Sequence, residues 1–190
     1  MYLLLTVCLG LFTPINLSYN LIAIPHTDLL LSHAVIGLVG WFMMLIIGVA
    51  SKLMPMFLIV HKTKETYIKW GYYFINSGIV IVFISTFFQQ FPVFLNIISF
   101  ALILIGFVLF LAYNYDIFSH RLRKSLDIGM KLSVIGLIVL AISILSFLAL
   151  YFGGEIIDLG IGRIEIISGM LLIYGFFTGL ILGQTYKTLP

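Results

Sequence analysis

The chain has 190 residues, 62% of them hydrophobic and 9% charged, with a net charge of +3 and a mean hydropathy of +1.22. Soluble domains use roughly 45–50% apolar and about 25% charged residues, so water cannot be the solvent around most of this surface and a lipid bilayer must replace it. Disorder, a disulfide-stapled secreted domain and nucleic-acid binding are excluded too: the ten basic residues form no extended basic face, and the single cysteine, Cys8, lies in an apolar run.

Crossing a hydrocarbon core of roughly 30 Å takes about 20 apolar residues in helical form. Six segments qualify, approximately Tyr2–Ile24, Leu31–Val60, Ile68–Phe88, Val93–Tyr113, Ile128–Phe152 and Ile164–Tyr186. They are apolar on all faces and lack the period-two alternation of barrel strands. The expected fold is therefore all-α: a polytopic membrane helix bundle of about six transmembrane helices, forming a single bundle over residues 1–190.

The first segment has no basic n-region and no small-residue cleavage site, so it reads as a retained span. Its second half carries Pro14, Asn16, Ser18 and Asn20, polar groups that need partners inside a bundle. The chain starts in one hydrophobic run and stops after another. A very compact protein or a piece of a longer bundle would read this way.

Lys and Arg are retained on the cytoplasmic side. Lys62, Lys64 and Lys69 fall between spans two and three, and His120, Arg121, Arg123 and Lys124 between four and five. Lys131 lies just inside span five, and Lys52 and Lys187 near the ends of spans two and six. Arg163, Asp28, Glu155 and Asp158 belong to the other side, with the short hairpin Gln89-Gln90-Phe91-Pro92. Both termini are expected to be cytoplasmic, in a bacterial cytoplasmic membrane.

One internal repeat is visible. The stretch Gly40–Pro55 recurs 135 residues later as Gly175–Pro190, with seven of sixteen positions identical, in the frame G-[WF]-F-x2-L-I-x-G-x3-K-x2-P. It relates span two to span six in parallel. The glycines at 40/175 and 48/183 leave room for another helix or a flat ligand, and Gly175, Gly179 and Gly183 form a small-xxx-small ladder that predicts close helix packing. Lys52 and Lys187 are expected to snorkel to the inner interface, and Pro55 and Pro190 to end or kink their helices.

Of the four histidines, His61 and His120 lie in inner loops beside basic residues, and His26 in an outer loop. His33 stands at the outer start of span two, with Gly37 and Gly40 at i+4 and i+7 on the same face. Neutral imidazole is a good iron ligand, and a glycine face leaves room for a porphyrin plane. An interfacial histidine bonded to a neighbouring carbonyl fits the same pattern.

The run Ser32-His33-Ala34-Val35-Ile36-Gly37-Leu38-Val39-Gly40-Trp41-Phe42, followed by Gly48, Lys52 and Pro55-Met56-Phe57, resembles the second helix of heme-copper oxidase subunit I-like proteins. It looks still more like their short relatives, including the NnrS-type heme and copper membrane proteins, as does Gly183–Pro190 at the other end of the repeat. These matches cover about 40 residues. The resemblance implies that His33 is an axial ligand of a low-spin heme serving electron transfer, with Gly37 and Gly40 beside the cofactor and Trp41, Phe42, Phe176 and Phe177 as candidate packing.

Departures from the family pattern limit what the resemblance implies. Oxygen reduction there needs a second axial histidine, a proximal histidine and three copper-ligating histidines. This sequence has no histidine after His120, has Ser168 at the repeat position of His33 with Glu165 one turn earlier, and has Val35 where short relatives carry a second histidine. A complete oxidase and a copper site are therefore not expected from this chain alone; a partner subunit or further helices would have to supply a second heme ligand. Two alternatives stand beside the heme protein. One is a cofactor-free membrane scaffold or interaction protein of the same fold. The other, weaker one is a small transporter with Asn16, Asn20, Asn76 and Gln89 along its path. Phosphate loops, G-x-S-x-G elbows, CxxC and HExxH motifs are absent.

Overall fold

The computed structural model describes residues 1–60, 63–88, 93–157, 166–167 and 169–188. Among these residues every regular element is helical. Helix α1 spans Tyr2–Tyr19, α2 His26–Leu58, α3 Glu65–Phe87, α4 Val93–Ser119 and α5 Ile128–Ile157. The last helix, α6, joins a π-helical Leu171–Phe177 to an α-helical Thr178–Thr188. Helices α1 to α5 each contain a stretch long and apolar enough to cross a membrane, and the chain is an integral membrane protein, helical throughout the regular elements of its described residues.

Helix α1 ends at Tyr19, five residues before the end of the predicted span, and Asn16 explains why. Its side chain folds back on the chain that leaves the helix: Nδ2 donates to the Ile22 carbonyl at 3.1 Å, and Oδ1 accepts from the Ile22 N–H at 2.8 Å. Asn20 takes the left-handed conformation, φ 52°, that closes the helix. Ser18 and Thr13 satisfy their hydroxyls on the carbonyls one turn back. The polar second half of the span thus finds its partners locally.

Helix α2 begins at His26, directly after Pro25, a residue suited to a helix entrance. Its Ile36–Met43 stretch is π-helical. It stops where Ile59 adopts φ 55° and the Val60 N–H reaches the Pro55 carbonyl at 2.9 Å. That is the geometry of a Schellman closure, with a β-branched residue at the position glycine usually fills. Helix α4 continues six residues past its predicted end at Tyr113, and the π-helical stretch of α6 starts 135 residues after that of α2.

Two compact units divide the chain. The first comprises Met1–Ser51 and Lys64–Tyr113. Here α1 packs along α2, and α2 along α3. Leu29, Ile36, Met43, Ile75 and Ile79 are buried in its core. The Ser32 and Thr86 hydroxyls meet in the interior, the Tyr2 hydroxyl donates to Asn76 Oδ1, and the Tyr113 hydroxyl donates to the Ser51 carbonyl at 2.9 Å. Inside a bilayer such hydroxyls have no water to fall back on, so bonds between helices satisfy them.

The second unit comprises Lys52–Thr63 and Asn114–Pro190. Its main contact is α5 against α6, and glycine lets the two backbones meet. A Cβ on Gly129 would stand 2.7 Å from the Gly183 carbonyl oxygen, and one on Gly136 would stand 3.0 Å from the Leu180 nitrogen. The predicted ladder on α6 is accordingly a packing surface: Gly179 lies on Gly136, and Gly183 on Gly129 and Ser133.

Candidate functional site

His33 sits about two turns into α2, and its ring lies on α1. Nδ1 donates to the Thr6 carbonyl at 3.0 Å, which sets the tautomer because a carbonyl can only accept. Gly10 makes the approach possible, since a Cβ there would stand 2.9 Å from His33 Cε1. Farther along the same face, Gly37 receives the Thr6 methyl and Gly40 the Tyr2 ring, at 3.0 and 3.2 Å from the positions their Cβ atoms would take. The three residues expected to form a heme site are thus on one face, as their spacing required. The space beside the two glycines is filled by α1.

The aromatic candidates separate. Phe176 and Phe177 are fully buried in the second unit, with ring centroids 5.5 Å apart. Trp41, at the repeat position of Phe176, is 39% exposed and 5.8 Å from Phe42. Trp41 lines a cleft of about 380 Å³ in the first unit, whose walls include Met44, Leu45 and Gly48 of α2, Tyr67, Ile68 and Tyr72 of α3, and Phe110 of α4. Its floor is the crossing of α3 and α4, where Gly71 and Gly106 bring the backbones together.

Among the described residues no three His, Cys, Asp or Glu side chains gather in a way that could hold a metal ion. His120, at the end of α4, turns Nδ1 to the Asp116 carbonyl at 2.9 Å. His61, Lys62, Gln89–Pro92, Asp158, Arg163, Glu165, Ser168 and Pro190 lie outside the described residues. The comparison of His33 with its repeat counterpart therefore stays one of sequence.

Comparison with protein-family models, with curated proteins and with solved structures finds no match for the chain. The chemistry has to be read from the site alone.

Of the asparagines placed along a transport path, Asn16 clamps the Ile22 backbone, Asn20 closes α1, and Asn76 accepts from Tyr2 while donating to the Tyr72 carbonyl at 2.6 Å. Each of the three has a local structural task. Gln89 is outside the described residues.

The paired lysines of the repeat also differ. Lys52 is exposed, whereas Lys187 reaches the Asp127 carboxylate and lies 5.8 Å from the Phe57 ring centroid. Asp127 caps α5 by accepting from the Met130 N–H at 3.1 Å, and Arg123 stands 3.8 Å away. The hydrogen bond from Lys187 holds the Asp127 carboxyl below the usual carboxylate range, with the Met130 N–H and the nearby cations acting in the same direction. Sequence reading missed Asp127. The available signal was an Asp just before an apolar run, where helix N-caps occur.

Proposed function

We propose that the protein is a cofactor-free scaffold or interaction subunit of the membrane, with both termini on the cytoplasmic side. The carrying observation is the occupied glycine face: Thr6 and Tyr2 stand where a porphyrin would approach Gly37 and Gly40, and His33 is committed through Nδ1 to the Thr6 carbonyl. In this reading His33 is a helix clamp. The positive charges between spans two and three and between four and five support the orientation. The common 135-residue spacing of the two π-helical stretches and the sequence repeat supports a parallel repeat of α2 and α6.

A second reading keeps the resemblance to heme-copper oxidase subunit I and makes His33 an axial ligand of one heme. One observation favours it: a histidine whose Nδ1–H is held by a carbonyl presents Nε2 as a lone-pair donor, the usual arrangement of metal-ligating imidazoles. It further requires Thr6 and Tyr2 to move off the glycine face and a second ligand from a partner subunit or from further helices.

A reduced-minus-oxidised absorption spectrum of the protein, purified in mild detergent from a heme-sufficient host, decides between them. The scaffold reading expects no Soret band and expects the chain to migrate on native gels well above its own 21.4 kDa plus detergent. A Soret band that disappears in His33→Ala would overturn it in favour of the heme reading. Migration as a bare monomer without heme would refute the subunit role.

A further inference from the structure

The exposed side of α3 changes its chemistry in three steps along the helix. Its first turns carry Glu65, Thr66 and Lys69, all exposed, with Lys69 Nζ 3.8 Å from the Glu65 carboxylate. Three rings follow: Trp70, Tyr72 and Tyr73 are 56%, 54% and 62% exposed. Beyond them the large exposed side chains are Val80, Ile84 and Phe87, which are pure hydrocarbon.

The rings surround the helix on every side but one. At about 100° per residue Trp70, Tyr72 and Tyr73 point in three different directions. The remaining direction belongs to Gly71, buried where α3 crosses α4 at the Gly106 backbone. Neighbouring rings meet edge-on, Trp70 with Tyr73 at 6.3 Å and Tyr72 with Tyr73 at 5.7 Å between centroids. Among the described residues neither tyrosine hydroxyl, nor the Trp70 indole N–H, has a hydrogen-bond partner.

Such groups suit neither solvent alone. Hydrocarbon leaves the three donors unsatisfied, and bulk water leaves the ring area exposed. Between the two lies a layer in which lipid ester and phosphate oxygens mix with water and the outermost methylenes, and Trp and Tyr concentrate there. Length agrees with that level. From Trp70 to Phe88 the helix rises about 27 Å, near the roughly 30 Å of a hydrocarbon core. Starting the crossing at Glu65 lengthens it to about 35 Å and draws the Glu65–Lys69 pair into lipid.

We propose that Trp70, Tyr72 and Tyr73 form a collar that binds the ester and headgroup layer of the bilayer and sets the depth at which α3 sits. The hydroxyls and the indole N–H donate to lipid oxygens or to the water among them, while the ring faces cover the first methylenes. The hydrocarbon-embedded part of α3 then starts at Trp70, and the ion pair before it stays in water. The scaffold and heme readings leave this surface the same.

The test uses Trp70 as its own reporter. Trp41→Phe leaves it the only tryptophan. The protein is reconstituted in phosphatidylcholine vesicles whose acyl chains carry bromine, a contact quencher of tryptophan, either close to the ester or near the chain end. Quenching of Trp70 is expected to be several-fold stronger with the shallow bromine. A tryptophan moved inward, Val80→Trp in a Trp41→Phe, Trp70→Phe background, should show the opposite order, since it lies about 15 Å farther along the helix. Tyr72→Leu with Tyr73→Leu should shift the Trp70 ratio toward the deep bromine, and Tyr73→Leu alone, at the most exposed ring, should do so in part. Equal or stronger quenching of Trp70 by the deep bromine would overturn the collar. A ratio unmoved by either tyrosine variant would overturn its control of depth. Protection of Trp70 from both bromines and from aqueous iodide would also overturn it, because another protein chain would then cover the rings.

Discussion

The two repeat-related glycines make a sharp test of the packing. Alanine replaces glycine in a helix with a gain of about 1 kcal/mol from backbone entropy and propensity, and both Gly48 and Gly183 lie inside helices. At Gly48 the new methyl group meets nothing, so Gly48→Ala should keep or raise stability. At Gly183 the same methyl would stand 2.6 Å from the Gly129 carbonyl oxygen and 2.7 Å from the Ser133 nitrogen. These are backbone atoms and cannot rotate away. Reaching ordinary contact at 3.4 Å requires α5 and α6 to separate by about 0.8 Å. Overpacking of this kind costs about 1–3 kcal/mol, and the propensity gain cancels between the two variants. Gly183→Ala should therefore be less stable than Gly48→Ala by about 2 kcal/mol, or roughly 4–8 °C in Tm for a chain of this size. Thermal unfolding in one detergent, followed by far-ultraviolet circular dichroism, measures the difference. Equal melting temperatures, or a Gly183→Ala protein that melts higher, would refute the close crossing of α5 and α6.

Further outcomes follow from the polar contacts. Removing the imidazole in His33→Ala deletes the bond to Thr6 and leaves a gap over Gly10, so stability should fall by about 1–3 kcal/mol, read from the same melts. Thr86→Val leaves the buried Ser32 hydroxyl without its partner across α2 and α3 and should cost about 1 kcal/mol or more. The double variant Ser32→Ala with Thr86→Val should recover part of that loss, and strictly additive single effects would show the two hydroxyls to be uncoupled. Asp127 contributes pH dependence of known sign. Its carboxyl is held below its usual value of 3.8 in the folded chain, so its stabilisation is present above that pH and is lost as the pH falls through the depressed value. Asp127→Asn should flatten the acid limb of a Tm-against-pH series. A limb that keeps its slope would assign the dependence to other carboxylates.

Much of the fold was legible because lipid imposes a coarse rule. Six hydrophobic runs predict helices, and helices occupy each of those runs in the described residues, with ends shifted by side chains that local hydropathy does not weigh. Asn16 is the clearest case: averaged into an apolar window it looks tolerated, whereas its two bonds to Ile22 end α1 early. The candidate site was legible only as a face. Spacing alone puts His33, Gly37 and Gly40 on one side of α2. It says nothing of what lies opposite.

Composition determined the solvent and the helical class, because 62% apolar residues with 9% charge cannot be hydrated as a globule. Periodicity determined which residues share a face, and the repeat marked Gly48 and Gly183 as related. Tertiary structure alone decided what each glycine meets: α1 over Gly37 and Gly40, α5 over Gly183, and an open cleft over Gly48. The physical reason is that a missing side chain only permits close approach. Which partner takes the space depends on the path of helices far apart in sequence.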